Sequence, residues 1–385
     1  MKILVFSPFY PPHIGGLETH SDEFNKHLST KGVEITVFTP QLPKEAPEQE
    51  IRHNGVRVIR YPAFEPLHNY PMPMFWKKAF WREWNTLIVL NTDIVISRTR
   101  FFFPSLMALW CAHRKNLPLL HIEHGSDFAQ FNGYIKTALG KIYDWTVGRF
   151  ILRHADSIVA NSQASANFVQ KLSKRNDTPV IYRGANIDAI NQCIPDEQVA
   201  EKYREKTIIA FIGRLIDGKG THDLITAVSQ LQRTDIVTFI IGGGPEEARL
   251  KKMSTEHQLD NQVIFFGNLP FEKAISILKT AHIVVNPSYT EGLPTSVTEA
   301  ALCQKAIIAT DVGGTREVIS GQDDGVLVPS RHPEIIAEKI LYLMENSEQR
   351  TLFAQNAFRN VEKKFDWNHS AEQYRTVFTT LLKDK

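Results

Sequence analysis

Cysteine is scarce in this chain. Cys111, Cys193 and Cys303 are the three in 385 residues, and their spacing fits neither a metal site nor a disulfide framework. That scarcity argues for a reducing compartment. Long apolar runs are also missing. The longest, Phe101 to Ala112, contains Pro104 and falls short of the roughly 20 residues that cross a bilayer. Met1 to Phe6 soon meets Pro8, Pro11 and Pro12, unlike the longer core and small-residue cleavage site of a signal peptide. Neither sign of charge dominates: 44 Lys and Arg face 42 Asp and Glu, a net +2. A nucleic-acid partner is therefore not indicated. Low-complexity tracts and repeats of solenoid period are absent. What remains is a globular chain, expected to be cytoplasmic, with room for two domains of about 150 to 200 residues each.

What is present is alternation. Apolar, β-branched runs fit strands at Lys2 to Ser7, Val33 to Thr39, Val56 to Tyr61, Asp93 to Ser97, Pro118 to Ile122, Ser157 to Ala160 and Pro179 to Tyr182. Helical patterns fit Gly15 to about Lys31, Met72 to Leu90, Phe102 to Lys115, Ile135 to Arg153 and Ala164 to Ser173, while Pro40 to Asn54 reads as loop. After a break at Gly184 to Pro195 a second series begins. Its strands are Thr207 to Ile212, Ile236 to Ile241, Val263 to Phe266, Ile283 to Asn286, Ala306 to Ala309 and Gly325 to Val328. Its helices are Gly220 to Leu231, Glu246 to His257, Phe271 to Thr280, Ser296 to Cys303 and Pro333 to Met344. The residues after Phe365 form a separate helix. The expected class is α/β, with two doubly wound parallel sheets.

Ligands of open parallel sheets sit beyond the carboxyl ends of the strands. In the second half five loops fall there, all glycine-rich or charged. They are Gly213-Arg214-Leu215 with Gly218-Lys219-Gly220, then Gly242 to Pro245 with Gly243 central, then Gly267-Asn268-Leu269, then Glu291 to Ser296, then Asp311 to Gly314. Together they favour a bound nucleotide. The fourth is the most informative: Glu291-Gly292-Leu293-Pro294-Thr295-Ser296-Val297-Thr298-Glu299. It reads as a turn entering a helix, with Thr295 or Ser296 as cap. Pro294 suits a position that needs no amide donor. The helix start then offers amides and a positive dipole end to a phosphate. Glu291 above the strand end and Glu299 one turn into the helix suit two ends of one ligand, a sugar and a ribose. Ser296-x-x-Glu299 is also a capping box, the plainer reading.

Arg214 and Lys219 place two cations on one loop, matched to a diphosphate. A leaving nucleoside diphosphate gains charge as its bond breaks, so fixed cations there favour the transition state. No Asp-x-Asp occurs, the pair that holds a divalent ion in many nucleotide-sugar enzymes. With Arg214 and Lys219, its absence argues for a metal-independent site. His121 and His124 fall on opposite faces of a strand and make a poor metal pair. The triple glycine is not G-x-G-x-x-G, so a nicotinamide cofactor is weakly supported. In the first half, Gly15-Gly16 opens a helix where bare backbone can approach an anion. His124, with Asp127 behind it, lies on another carboxyl-edge loop and is a candidate sugar contact.

These residues together resemble the retaining glycosyltransferases of family GT4, the "glycosyl transferases group 1" proteins, over nearly the whole chain. The likeness rests on P-P-H-I-G-G-L-E, H-G-S-D at His124, G-R-L-I-D-G-K-G, G-G-G-P, the Glu291/Glu299 pair and V-G-G-T-R-E. It implies a GT-B fold: two Rossmann-like domains facing across a cleft. Residues 1–186, completed by helix 367–385, would bind the acceptor, and residues 187–366 the nucleotide sugar. It further implies that Arg214 and Lys219 bind the donor diphosphate, Glu291 the sugar hydroxyls and Glu299 the ribose. Gly15 or Gly16 would approach the diphosphate or acceptor, and His124 the sugar near its 6-hydroxyl. The backbone near Asn268 and Leu269 would read the base. The donor, UDP- or GDP-linked, is a substrate, and no cofactor is implied. A non-hydrolysing nucleotide-sugar 2-epimerase of the same architecture is the alternative, and a binding protein with a degenerate site is a third reading. Two aromatic and basic stretches, Met74 to Trp84 and Arg98 to Phe103, suit either a membrane interface with a lipid-linked acceptor or an ordinary helix packed on its sheet.

Overall fold

The computed structural model describes residues 1–13, 15–67, 70–128 and 134–383. Ile14 of the P-P-H-I-G-G-L-E stretch lies outside the described residues. The chain divides into two compact units, Met1–Gly184 with Trp367–Lys385, and Ala185–Asp366.

The first unit holds strands β1 (Lys2–Phe6), β2 (Glu34–Pro40), β3 (Gln49–Arg52), β4 (Val56–Tyr61), β5 (Ala63–Leu67), β6 (Tyr70–Pro73), β7 (Ile94–Arg98), β8 (Leu119–Glu123) and β9 (Ser157–Ala160). Seven form one sheet in the order β3-β4-β2-β1-β7-β8-β9, and β5 pairs β6 as a ribbon. The alternation of side chains along β1 shows why the sheet is covered on both faces. Ile3 and Val5 join Phe24 and Leu28 of helix Gly16–Thr30, together with the terminal helix. Leu4 and Phe6 join Phe80, Trp84 and Met107 on the other side. Each such side chain contributes about 1.5–3 kcal/mol on burial. The terminal helix, Trp367–Lys383, inserts Trp367, Ala371, Tyr374, Phe378 and Leu381 at helical spacing into this first unit.

The second unit holds β10 (Thr207–Ile212), β11 (Ile236–Ile241), β12 (Val263–Gly267), β13 (Ile283–Asn286), β14 (Ala306–Thr310) and β15 (Val326–Val328). All pair in parallel, in the order β12-β11-β10-β13-β14-β15. The order reverses between β10 and β13. That is the point at which doubly wound sheets open a crevice for a ligand.

Several elements depart from the sequence expectation. Within Pro40 to Asn54, β3 runs antiparallel to β4. The expected helix over Met72 to Leu90 begins only at Lys78, because Tyr70–Pro73 pairs with β5. Pro179 to Tyr182 is no strand; only Val180 bridges to Ala160. Helix Ser347–Lys364 was not anticipated.

Candidate active site

In the second unit the loops after β10 and β13 are locked together. Gly220 has φ 62°, and a Cβ there would lie 2.1 Å from the Pro287 carbonyl oxygen. Only glycine fits that approach. The Tyr289 amide donates to the Gly218 carbonyl at 2.9 Å. The Tyr289 hydroxyl sits 2.9 Å from Asp223 Oδ2 and 2.7 Å from His222 Nε2, and the Arg331 guanidinium lies over the Tyr289 ring, 3.8 Å from its centre. This clamp sets Lys219 on a 3-10 turn, Asp217–Lys219, opposite Glu291. Lys219 Nζ donates to Glu291 Oε1 at 2.6 Å, with the Glu291 side chain 8% exposed. Arg214, half-buried on the same loop, has no side-chain partner among the described residues.

The remaining loops close around these. The Leu215 amide donates to the Gly243 carbonyl at 2.9 Å, and the Gly242 amide to the Gly267 carbonyl at 3.0 Å. A Cβ on Gly243 would lie 2.9 Å from Asn268 Nδ2, so Gly243 and the exposed Asn268 are neighbours, with Leu269 half-buried beyond. Gly292 and Gly314 approach so closely that a Cβ on Gly314 would lie 2.2 Å from the Gly292 carbonyl oxygen. Arg214, Lys219, Gly243, Asn268, Leu269 and the Glu291 to Thr295 turn thus share one edge of one sheet.

Helix Thr295–Leu302 starts from Pro294, with no side-chain cap. The expected cap at Thr295 or Ser296 is therefore incorrect, and so is the capping box. Ser296 Oγ instead accepts from Asn286 Nδ2 at 2.7 Å, which ties the helix start to the end of β13. Leu293 and Pro294 are buried beneath the turn, and Glu299 is half-buried one turn into the helix.

In the first unit, Gly15 and Gly16 begin helix Gly16–Thr30. Glu18, 3% exposed, lies under them, with Oε1 against His13 Nδ1. Neither Glu18 nor His13 was singled out in the sequence, although both stand in the P-P-H-I-G-G-L-E stretch. The His124 loop is held from below by Glu123, whose Oε1 accepts from the amides of His124 at 2.9 Å and Gly125 at 2.7 Å. Arg100 bridges Glu123 at 3.0 Å and Asp144 at 3.1 Å. Burial pushes the Glu123 carboxyl up, but Arg100, His121 and the Gly125 amide outweigh it and hold it well below the usual range.

His124 Nδ1 lies 3.4 Å from Asn161 Nδ2, and its ring meets His20 edge-on at 4.7 Å. Its Nε2 is buried with no hydrogen-bond partner among the described residues. Burial and the Arg98 cation push this imidazole down to about 3, against the pull of Glu123. His124 as a whole is half-buried, and a sugar contact through Nε2 requires the side chain to turn. Arg98 is fully buried, with Nη1 on His20 Nδ1 at 3.0 Å and its guanidinium over Phe24 at 4.4 Å. Arg98 and Arg100 are thus interior residues, not part of a basic surface.

Three comparisons bear on this geometry. The "Glycosyl transferases group 1" model matches residues 195–360, and the "Glycosyltransferase Family 4" model matches residues 14–189. An uncharacterized glycosyltransferase of Methanocaldococcus jannaschii is 39% identical over 99% of both chains. The chain belongs to the group 1 glycosyltransferases. This glycosyltransferase is also 25% identical, over 93% of its length and 94% of the relative's, to the N,N'-diacetylbacillosaminyl-diphospho-undecaprenol alpha-1,3-N-acetylgalactosaminyltransferase of Campylobacter jejuni. Among solved structures it is similar in fold to Anabaena Alr3699/HepE in complex with UDP, with a TM-score of 0.78 at 19% identity over 99% and 100% of the two chains. The enzyme has the two Rossmann-like sheets of the GT-B fold. Among its described residues no helix is long and apolar enough to cross a membrane.

Proposed function

We propose that this glycosyltransferase moves a hexose or N-acetylhexosamine from a UDP- or GDP-sugar to a sugar or lipid-linked glycan, with retention at the anomeric carbon and without a divalent metal. The observation that carries the reading is the Lys219–Glu291 pair at the switch point of the second sheet, beside Arg214 and five glycine-rich or charged loops. Arg214 and Lys219 receive the diphosphate. As Lys219 turns to the phosphate it releases Glu291 to the sugar hydroxyls, so donor binding itself prepares the sugar contact. Glu299 takes the ribose, and the backbone around Gly243, Asn268 and Leu269 takes the base. Gly292 to Thr295 bring the helix start to the phosphates. Gly15 or Gly16 is assigned a contact with the diphosphate or acceptor, and His124 a contact with the sugar. With no side chain assigned as nucleophile, a leaving phosphate oxygen takes the acceptor proton on the face the leaving group vacates. Charge on that phosphate is stabilised by the two cations.

A role in cell-surface polysaccharide or glycolipid assembly, with peripheral contact at the inner membrane face, fits the lipid diphosphate in the name of the Campylobacter relative. The 2-epimerase alternative is not favoured, because the matched relatives are transferases. The deciding experiment is proton NMR of the purified enzyme with a panel of UDP- and GDP-sugars and excess chelator. Slow release of free sugar and nucleotide from one donor, undiminished by chelator, is the expected result. Conversion of a donor into its C2 epimer overturns the reading, as does loss of all turnover on chelation.

A further inference from the structure

The segment from 134 to 154 is inside-out. Helix Tyr134–Tyr143, a π-turn at Asp144–Gly148 and helix Arg149–His154 run on as one rod, about 30 Å long at 1.5 Å per residue. An amphipathic helix normally buries its apolar stripe. Here the buried positions in the first two segments are Gly140, Asp144 and Gly148. They are pinned by the ion pair of Asp144 with Arg100, and the Arg100 side chain passes 3.6 Å from where a Gly148 Cβ would be. Ile135, Leu139 and Ile142, spaced four and three apart on one helical face, are 75%, 60% and 58% exposed, and Trp145 and Phe150 follow at 42% and 48%. Phe150 also lines an apolar groove of about 500 Å³ with Leu106, Leu109 and Trp110.

Charge completes the pattern. Along 134–154 stand Lys136, Lys141, Arg149 and Arg153, and the single acid is Asp144, turned inward. Lys171 adds a fifth cation, over the Phe128 ring at 5.3 Å, and Phe128 itself lies 6.1 Å from Trp145. An apolar ridge flanked by cations that have no ion-pair partner among the described residues matches a surface that is apolar below and anionic above. By contrast, the stretch Met74 to Trp84 buries Phe80 and Trp84 in the core and leaves Trp76 and Trp81 exposed.

We propose that the 134–150 ridge is a membrane-docking surface, with Ile135, Leu139 and Ile142 entering the interface of an anionic bilayer and Lys136 and Lys141 meeting its headgroups. This deepens the membrane contact proposed above but rests on different residues. The test contains no sugar nucleotide, so its failure leaves the transfer reading standing. The full chain is floated with vesicles of phosphatidylcholine alone and of an equal mixture with phosphatidylglycerol, at low and high salt. The expected result is binding to the anionic vesicles that falls with salt. The triple variant Ile135→Ser/Leu139→Ser/Ile142→Ser should weaken it by about tenfold or more while melting like the wild type. Lys136→Glu/Lys141→Glu should weaken anionic-vesicle binding and reduce its salt dependence, and Trp76→Ser should leave binding unchanged. Equal flotation of the wild type and the triple variant overturns the proposal. So does indifference to phosphatidylglycerol. A lipid-free dimer that the triple variant abolishes also overturns it, and assigns the ridge to a second copy of the chain.

Discussion

Lys219 Nζ and Glu291 Oε1 lie 2.6 Å apart although 72 residues separate them in sequence. The two groups assigned to opposite parts of one donor, phosphate and sugar, thus neutralise each other across the switch point. Lys219→Ala and Arg214→Ala are each expected to lower donor turnover by about 10²- to 10³-fold. They differ in one respect. Lys219→Ala also removes the Lys219 cation from beside the Glu291 carboxylate, so net charge near the phosphates becomes more negative and diphosphate binding should weaken further. Calorimetry with nucleoside diphosphate and monophosphate checks this: the diphosphate preference should shrink in both variants, and more in Lys219→Ala. An unchanged preference removes Lys219 from the diphosphate site.

Gly15 and Gly16 are separable by alanine. A Cβ on Gly15 would lie 2.5 Å from Glu18 Oε2, whereas one on Gly16 meets nothing within 4 Å. Gly15→Ala should therefore destabilise the first unit by about 1–3 kcal/mol through overpacking against a buried carboxylate. Gly16→Ala should leave stability unchanged or slightly raised. If Gly16→Ala keeps its melting temperature yet loses turnover, the space above Gly16 is needed by substrate. If turnover is also kept, Gly16 is only a turn residue.

Legibility from sequence followed burial. Ser157–Ala160, Thr207–Ile212, Ile236–Ile241 and Ile283–Asn286 read with their observed bounds, because strands of a covered parallel sheet are short runs rich in apolar and β-branched residues; Val56–Tyr61 also reads with its observed bounds although Arg57 and Arg60 interrupt it. The edge strand Gln49–Arg52 alternates exposed and half-buried residues and carries no such run. Helix Ser347–Lys364 buries only Phe353, Ala354, Ala357 and Val361, too thin a stripe to stand out. Each of the five loops at the carboxyl edge of the second sheet was readable on its own. The Lys219–Glu291 contact was not, because it depends on β13 pairing with β10, a neighbour relation that local pattern does not carry. For Arg98 and Arg100, charged residues beside Phe101 to Phe103 left a membrane surface and a packed element both open in the sequence, and their burial decides for the packed one.

The Glu123 carboxyl is held below its usual range, so its stabilising effect has a defined pH window. A depressed carboxyl contributes above its unfolded value, about 4.3, and the contribution fades as pH falls from there through the folded value. Glu123→Gln should cost about 3–5 kcal/mol at neutral pH, since it leaves Arg100 buried with one carboxylate instead of two. Urea unfolding at a series of pH values should show the gap to wild type constant down to about pH 5 and narrowing below about pH 4. A gap that persists undiminished in acid would mean that the loss is one of packing.

His124 acts in a different window and with the opposite chemistry. Its imidazole is pushed down to about 3 by burial and by Arg98, while the unfolded ring titrates near 6.5. Between those values the unfolded chain binds a proton that the folded chain refuses, so stability falls as pH drops below about 6.5. From there to pH 5 the cost is about 2 kcal/mol for one such ring. His20, also buried and lowered, adds to it in the same direction. His124→Asn should therefore flatten the stability profile between pH 7 and 5, and the variant should gain on the wild type with each step toward acid. The His124 ring signal of the wild type should also keep its neutral position across pH 5 to 8. Titration of that signal near 6.5 would show that the ring is open to water, and would put its nitrogens within reach of a sugar without any turn of the side chain.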